Sequence, residues 1–531
     1  MAEARTYEYS TTPPSSPRQS FGIRPSSAYF LILWRRVLRA SSSRRAACSG
    51  GNLIVQRTAF SATMLAALCL VLGSSITAHA RDLVIRNARL VDGTGAPARD
   101  GLSILVMDGR IADIAPDVSA PDLPVLDVQG STVIPGLMNM HVHFHFAPGQ
   151  AQRGDSQEML RELNRKHLPA YLASGVTTVL DAATQLPIAQ EIRELLEEGV
   201  PGPTILTLGP GFTSPGGYAE IDWKGISTVN EVEQRLDSAQ SLGAVGIKVF
   251  VEQGLTPLGS SLPIHSPEIR DAIESGAKRR NLPIYVHATS EDEYRIAADM
   301  GAHAIMHAPL SFLWGGELSD SLIETLSEAG TYVVTTLSLM DAATTGSHPE
   351  RLDDPLVQLT VPPAEMLTAR DPEADLFAAR AAIGYGPRWI PQSLIGVVAR
   401  LIWNERRIID TLQRSQNMIR KLHDAGVPIV VGTDTPGTPY FQYNFHGPTI
   451  LREIELVAAA GLSPEEALAA ATRIPAEMVG LGEELGTVEI GKKADMLILD
   501  GDPLEDLGAL RSIRWTIKEG VARSPEGWML K

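Results

Sequence analysis

The sequence predicts an α/β protein, namely a (β/α)8 TIM barrel with a small β-sandwich domain built from both ends of the mature chain. Three observations lead to this fold class. The middle of the chain alternates short apolar runs with amphipathic helical segments, as a parallel sheet covered by helices does. β-rich segments stand at both ends of that middle region. The 531 residues exceed one ordinary domain and suffice for a large barrel with an accessory module.

The first 80 residues have a composition of their own. They contain nine arginines, no lysine and two acidic residues, a net charge of +7, so the remainder carries −23 of a total of −16. Arg57 precedes a nine-residue apolar run at 64–72, and the segment ends in Ala78-His79-Ala80. A membrane-spanning helix needs about 20 residues. Residues 1–80 are therefore predicted to be a leader with a secretory signal peptide cleaved after Ala80.

The leader leaves two alternatives open, an uncleaved membrane anchor and a translation start near Val55. Cleavage would put the mature protein in a bacterial periplasm or outside the cell, without stable membrane insertion. Both cysteines, Cys48 and Cys69, precede Ala80, so any metal in the mature chain needs ligands other than thiolates. The acidic balance argues against binding to nucleic acid or to an acidic membrane.

The two ends of the mature chain have strand patterns. Residues 82–92 and 102–114 alternate in the manner of strands, and Asp108-Gly109 is a hairpin turn signal between 102–107 and 110–114. Similar segments return at 486–491, 494–499 and 514–518. We therefore assign 81–135 and 483–531 to the two parts of one β-sandwich, and 136–482 to the barrel.

The middle region contains eight candidate strands: Val133–His143, Val176–Ala182, Thr204–Leu208, Gly246–Val251, Pro283–Ala288, Ala304–Ala308, Tyr332–Leu337 and Pro428–Thr433. Most are followed by helical patterns, such as Asn230–Leu242, Glu268–Arg280 and Arg407–Ala425. This number of βα units is the one expected of a TIM barrel. An insertion at about 340–405, between the seventh and eighth strands, is predicted to act as a lid.

Polar residues occur where several of these strands end. In such barrels the active site lies at the carboxyl ends of the strands, and residues two apart on a strand point to the same side. The residues are His141, His143, Lys248, His287, His307 and Asp434. Each alone has a structural interpretation: a histidine whose hydrogen bonds are satisfied within the fold, a lysine in a buried ion pair, or an aspartate that caps a helix or forms a turn. Together they predict a metal site, and imidazole and carboxylate ligands suit Zn²⁺, Mn²⁺, Ni²⁺ or Fe²⁺.

Three motifs resemble those of the amidohydrolase superfamily. They are Ile134–His143, which reads IPGLMNMHVH, the helix-like Ala470–Gly480, and Leu485–Asp500, which reads LGTVEIGKKADMLILD. The resemblance covers residues 81–505. It is nearest to the imidazolonepropionase-like and prolidase-like dipeptidase branch.

The resemblance implies roles for the six residues. His141, His143 and Asp434 would hold the more buried of two divalent metal ions, with Zn²⁺ the expected metal, and His287 and His307 would hold the more exposed ion. Lys248, carboxylated by CO2, would bridge both ions as a carbamate. A metal-bridging hydroxide would attack the carbonyl of a small-molecule substrate. Asp434 would move the proton, and the bond cleaved would be an amide C–N bond of a dipeptide or N-acyl amino acid.

Two departures from the family pattern bear on this assignment. Asn139 stands where an acid is common, and Tyr218 stands where relatives often have histidine. Such substrates need a group to bind their carboxylate, and the candidates are Tyr218, His265, Arg351 and His446. The remaining histidines are assigned to structure or surface: His145, His167, His303, His348 and His423.

Two other functions stay open. A mononuclear cyclic amidohydrolase, imidazolonepropionase-like and with Lys248 unmodified, would also use these ligands. A non-catalytic scaffold paralogue would be expected to have lost some of them. A homo-oligomer is also left open, since relatives are often multimers.

Overall fold

The computed structural model describes residues 81–220, 222–254, 261–310, 317–371, 405–437 and 442–529. The predicted signal peptide, both cysteines and part of the predicted insertion, 372–404, lie outside these residues. Within the described ranges, no helix has the length and apolar character needed to cross a membrane.

Sixteen strands lie in the described ranges, and they belong to a terminal sheet and to a set of parallel strands. Their bounds are β1 Leu83–Leu90, β2 Arg99–Met107, β3 Arg110–Ala115, β4 Val125–Asp127, β5 Thr132–Pro135, β6 Leu137–Val142, β7 Val176–Asp181, β8 Thr204–Thr207, β9 Ile247–Phe250, β10 Ile284–His287, β11 Ala304–Met306, β12 Tyr332–Val334, β13 Ile429–Val430, β14 Met496–Leu499, β15 Ile513–Lys518 and β16 Val521–Arg523.

The α-helices of the same ranges mostly follow parallel strands. Their bounds are α1 Gln150–Arg153, α2 Gln157–Ala173, α3 Leu186–Glu197, α4 Val229–Ser241, α5 Pro267–Arg279, α6 Glu291–Asp299, α7 Asp320–Ala329, α8 Ser338–Ala342, α9 Pro355–Thr360, α10 Pro363–Ala369, α11 Glu405–Asp424, α12 Thr449–Ala459, α13 Pro464–Ala469, α14 Arg473–Met478 and α15 Pro525–Trp528. Three of them, α4, α5 and α11, begin and end within two residues of the predicted segments.

The terminal sheet combines both ends of the described chain. Its strand order is β16-β15-β14-β5-β1-β2-β3, with β4 beside β1, and the long-range pair β5–β14 is antiparallel, with Val133 opposite Ile498. The predicted hairpin turn joins β2 to β3, where Asp108 and Gly109 both have positive φ. The strand pairing is that of a single sheet with its own apolar cluster, which includes Ile85, Ile104 and Met496.

The parallel strands form a TIM-barrel-like α/β fold. They lie in two sheets, β6-β7-β8 and β13-β12-β11-β10-β9. Parallel bridges link the sheets on both sides, Val142 to Thr435 and Phe212 to Val249. Each of the eight predicted strand segments contains one of these strands, with one correction. The segment Val133–His143 is not one strand, because β5 belongs to the terminal sheet and β6 to the parallel strands.

Gly136 is the point where the chain passes from one sheet to the other. Its N–H donates to the Asp495 carbonyl beside β14 at 2.9 Å, whereas the next residue, Leu137, donates to Gly175 before β7 at 3.1 Å. A Cβ at Gly136 would lie 2.3 Å from Thr177 Oγ1. The close approach of β7 therefore requires glycine here.

The structure describes part of the predicted insertion, and this part contacts helix α2, one of the helices that cover the parallel strands. Glu365 of α10 accepts a 2.6 Å hydrogen bond from His167 Nε2 of α2, and both side chains are buried. A buried charge is costly unless it is paired. This pair therefore holds the described part of the insertion close to α2.

Candidate metal centre

Five of the six predicted ligands lie at or beyond the carboxyl ends of the parallel strands, and Lys248 is the second residue of its strand. His141 is on β6, Lys248 is on β9 and His287 ends β10, while His307 directly follows β11. The other two ligands, His143 and Asp434, also lie just beyond strand ends. All six are buried, with at most 7% of their surface exposed. The fold therefore brings together residues that are up to 293 positions apart in the sequence.

Asp434 joins the two histidines of the first strand. Its Oδ1 atom lies 3.3 Å from His141 Nε2 and 3.0 Å from His143 Nε2. Donor atoms of His141, His307 and Asp434 all lie within 4.8 Å of one another. This spacing is suitable for ligands that share one small cation.

The two histidines from β10 and β11 also face one point. His287 Nδ1 and His307 Nε2 are 2.9 Å apart, and the His307 ring centroid is 4.8 Å from that of His141. Burial is the main cause that lowers the pKa of His141, His287 and His307 well below the ordinary value, and neighbouring positive groups lower it further. The imidazoles are therefore neutral at pH 7, which is the form that binds metal.

Lys248 lies fully buried beside this cluster. Its Nζ is 3.5 Å from His141 Nε2. Burial lowers its pKa to about 7, and the negative charge of Asp434 only partly opposes that effect. A large fraction of the side chain is thus a neutral amine at neutral pH.

The donor set fits divalent metal ions. Neutral imidazole nitrogens and a carboxylate oxygen present lone pairs to one another in a buried space, which is unfavourable unless a cation lies between them. The set contains nitrogen and oxygen ligands without thiolates, as suits Zn²⁺ and related ions. A His/His/Asp cluster for a metal is therefore present.

Asn139 takes a structural role beside the ligands. Its Nδ2 donates to Thr433 Oγ1 at 2.8 Å, and its Oδ1 accepts from the Thr433 N–H at 3.1 Å. It is buried on β6 and ties this strand to the segment that carries Asp434. The amide can both donate and accept, which a carboxylate cannot do.

Aromatic side chains flank the cluster, and Tyr218 is one of them. Its ring stacks on His287 with a centroid distance of 4.6 Å and an interplanar angle of 29°. Trp223 stacks on Phe250 at 5.4 Å, and the His145 ring is 5.1 Å from Trp223 and 5.3 Å from His143. Trp223 Nε1 is buried and has no hydrogen-bond partner among the described residues.

Trp223 and Phe250 were not predicted from the sequence, and His145 was predicted to be a structural or surface residue. The structure places His145 buried beside the site. The spacing HVHFH was a signal for it, because His145 lies two residues beyond His143. Trp223 has no comparable signal, since it lies in the loop between β8 and α4 and is distant in sequence from the end of β8.

The other three predicted substrate residues lie in different surroundings. His446 stacks on His167 at 4.1 Å, and its Nδ1 is 2.7 Å from the Tyr171 hydroxyl. Arg351 donates to Asp341 and Thr344. His265 is buried against the backbone of Phe212 and Ile226, and burial lowers its pKa to about 4. It is therefore neutral at pH 7 and cannot bind a carboxylate as a cation.

Glu252 is a further residue that the sequence analysis did not select. Its Oε2 lies 3.4 Å from His287 Nε2 and accepts a 2.8 Å hydrogen bond from the Thr289 hydroxyl, while Oε1 accepts from the Gly254 N–H at 2.8 Å. The carboxylate is 1% exposed, and burial raises its pKa. It stands behind His287, on the side away from His307.

Known proteins resemble this chain over most of its length. The amidohydrolase family matches residues 132–522, more than half of the chain. The chain is similar to imidazolonepropionase of Geobacillus sp. (strain WCH70), 23% identical over 448 residues that cover 75% of this chain and 83% of that protein. It is 25% identical over 545 residues to the N-substituted formamide deformylase of Arthrobacter pascens, covering 83% and 98%.

A solved structure shows the same fold. A Xaa-Pro dipeptidase with methionine bound in its active site matches with a TM-score of 0.63 and 22% identity, over 83% of this chain and 100% of that one.

Proposed function

The chain belongs to the amidohydrolase family, and on that basis we propose that it cleaves an amide C–N bond of a dipeptide or N-acyl amino acid at a binuclear metal site. Metal-dependent hydrolysis of a C–N bond is the chemistry that the family and the His/His/Asp cluster support. The presence of two ions and the kind of substrate go beyond that support and are the parts that we propose. The observation that carries the proposal is that two ligand groups lie in one buried cluster: Asp434 Oδ1 is 3.0 Å from His143 Nε2, and His287 Nδ1 is 2.9 Å from His307 Nε2.

The buried Lys248 is the main support for two ions. The charge of Asp434 offsets the desolvation of a charged ammonium there only in part, so burial favours the neutral amine. A neutral amine adds to the carbon of CO2 and releases one N–H proton to water, which gives a carbamate, an anionic oxygen ligand. In this proposal His141, His143 and Asp434 would hold one ion, His287 and His307 would hold the other, and the carbamate of Lys248 would supply an anionic oxygen ligand to them. Zn²⁺ is the metal expected for these ligands.

Bound there, the ions would polarise the substrate carbonyl and lower the pKa of a water molecule to about 7. The chain's own residues supply the other requirements. Asp434 Oδ1, beside both His141 and His143, is the acceptor that holds a proton and returns it to the departing nitrogen. Burial of the whole cluster excludes bulk water, which strengthens each electrostatic contact.

Trp223 is our candidate for binding the substrate carboxylate. Its buried Nε1–H has no partner among the described residues, and buried donors are rarely left unpaired. Tyr218, stacked on His287, and Phe250, stacked on Trp223, provide an apolar wall for the side chain next to the cleaved bond. His265 and His446 are then supporting residues rather than cationic anchors.

The alternative is a mononuclear enzyme that opens a cyclic amide. The similarity to imidazolonepropionase favours it, and the His141/His307/Asp434 group alone could hold one ion. The burial of Lys248 next to His141 favours the binuclear site instead, because a mononuclear site gives the lysine no role.

The remaining assignments are part of the same proposal. Residues 1–80 form an exported leader, and the mature protein works in the periplasm or outside the cell on a small molecule, without nucleic acid. We propose that residues 81–135 and 483–531 form one accessory β domain around the terminal sheet, and that 136–482 form a closed eight-stranded barrel.

Metal analysis of the purified 81–531 protein, paired with hydrolysis of dipeptide and N-acyl amino-acid libraries, tests the proposal. We expect two ions per chain and activity that depends on bicarbonate during metal loading. One ion per chain, with activity indifferent to bicarbonate, would defeat the binuclear site. Unchanged hydrolysis in both His141→Ala and Asp434→Ala would defeat catalysis at this centre.

A further inference from the structure

Thr336 makes a hydrogen bond to a predicted metal ligand from outside the ligand set. It lies just after β12, and its Oγ1 is 2.9 Å from His307 Nδ1. His307 Nε2 is the atom that faces His287. The contact with Thr336 is therefore on the opposite side of the ring from the proposed metal.

This contact links the direction in which the Thr336 hydroxyl bonds to the nitrogen of His307 that carries the proton. A neutral imidazole has one N–H and one lone pair. If Nδ1–H donates to the Thr336 hydroxyl, Nε2 keeps its lone pair for a metal. Partners of this kind set the tautomer and the ring orientation of metal-ligating histidines.

His307 differs in this respect from the other three ligand histidines. His141 Nδ1, His143 Nδ1 and His287 Nε2 have no hydrogen-bond partner in the part of the chain that the structure describes. For His287 the carboxylate of Glu252 lies at 3.4 Å but makes no hydrogen bond. Thr336 is thus the side chain that orients the second ion's site most directly.

The backbone of Thr336 needs support to hold its hydroxyl there. Its φ is +52°, a left-handed conformation that β-branched residues rarely adopt. Residues in such conformations persist only when their surroundings hold them, and they cluster at functional sites. His307 and Asp434 also have positive φ, at +106° and +54°.

Glu453 of α12 supplies this support. Its fully buried carboxylate accepts hydrogen bonds from the Thr335 hydroxyl, from the Leu337 N–H at 2.8 Å and from the Ser338 N–H at 2.5 Å. These donors stand on both sides of Thr336. The carboxylate therefore holds the turn that carries Thr336.

We infer that Thr336, held in place by Glu453, is a positioning residue that fixes His307 for the second metal ion. This inference rests on the proposed function, since it presumes the binuclear site. It assigns a role to α12, an element that contributes no ligand.

The test is the affinity of the metal-free protein for Zn²⁺, measured by competition with a chromophoric chelator. Thr336→Val removes the hydroxyl and keeps the shape, and Thr336→Ser keeps the hydroxyl. Thr336→Gly removes the hydroxyl and tolerates a positive φ, so it is the variant to use if valine impairs folding. Thr331→Val is the matched control, because the Thr331 hydroxyl bonds the Ala302 carbonyl instead.

We expect Thr336→Val and Thr336→Gly to bind one of the two ions about 10–100-fold more weakly. Thr336→Ser and Thr331→Val should bind both ions like the wild type. Glu453→Gln should weaken the same ion, and should have no further effect when combined with Thr336→Gly, because both act on one contact.

Wild-type affinity for both ions in Thr336→Val and Thr336→Gly would overturn the positioning role and leave the binuclear proposal intact. Equal losses in Thr336→Ser and Thr336→Val would also overturn it. If the losses of Zn²⁺ affinity in Glu453→Gln and Thr336→Gly were additive, Glu453 would act independently of Thr336. It would then have no part in positioning His307. A wild-type protein that binds fewer than two ions would instead defeat the proposed function itself.

Discussion

His287 Nδ1 and His307 Nε2 lie 2.9 Å apart, although the two residues are 20 positions apart on different strands. Two neutral imidazoles at this distance face either a shared proton or a shared cation. Because the surrounding donor set of imidazole nitrogens and a carboxylate fits a divalent metal ion, we favour the cation. Binding of the second ion, and the activity that requires it, therefore depends on this pair.

Removing one member of the pair should remove one ion. We expect His307→Asn to bind a single Zn²⁺ and to lose more than about 100-fold in kcat, the upper end of the loss when only a supporting residue is removed. Mass-spectrometric metal analysis and steady-state kinetics measure both effects. The control is His423→Asn, since His423 pairs with Glu466 outside the site. Two ions in His307→Asn would contradict the assignment.

Glu252→Gln should weaken the second ion by about 10-fold, because the carboxylate behind His287 increases the basicity of that ring. Zn²⁺ titration of the metal-free variant measures the change. Glu365→Gln alters another buried carboxylate beside a histidine, His167, and should leave Zn²⁺ affinity unchanged. If Glu252→Gln bound Zn²⁺ as the wild type does, Glu252 would have no part in the site.

Trp223→Phe keeps the aromatic ring and removes the indole N–H. A hydrogen bond to a charged group contributes about 1.5–3 kcal/mol, so kcat/KM for an N-acyl amino acid should fall by about 10-fold or more. The same substrate with its carboxylate amidated should show little difference between the two proteins. Trp515→Phe, in the terminal sheet, is the control. A similar loss on both substrates would indicate a packing effect only.

His265 should make folding stability depend on pH. Burial lowers its pKa from 6.5 to about 4, so between these values the unfolded chain binds more protons than the folded one. Protonation of His265 therefore does not reduce the free energy of unfolding above pH 6.5. As the pH falls towards 4, the free energy of unfolding decreases by up to about 3 kcal/mol. Urea unfolding at pH 7 and pH 5 should show a smaller pH effect in His265→Gln. An equal pH effect in both proteins would show that His265 is not buried as a neutral group.

Gly136→Ala should destabilise the passage between the two sheets. Its Cβ would lie 2.3 Å from Thr177 Oγ1, and overpacking of this kind costs about 1–3 kcal/mol. Urea unfolding should show the loss, and Thr177→Ala should restore part of it. At Gly482 an added Cβ would lie 3.5 Å from its nearest atom, Glu477 Cγ, so Gly482→Ala should be close to neutral.

Much of the fold and of the ligand set was predictable because their signals are local. The apolar runs that became β7 to β13 are separated by amphipathic segments, and three predicted helices agree with α4, α5 and α11 to within two residues. His141 and His143 could be selected because alternate residues of a strand face the same side. Lys248 could be selected because a lysine within an apolar run must be buried there.

The amino-acid sequence thus determined the order of the elements and the six candidate ligands, each from residues close in the chain. The tertiary structure decided that the chain breaks between β5 and β6 at Gly136 and that Trp223 lies beside the ligands. It also decided that His446 packs against His167 instead of facing the ligands. It also decided that Glu453 holds the turn at Thr336. These features depend on contacts between segments tens to hundreds of residues apart, and such contacts are set by packing of the whole chain rather than by any local pattern.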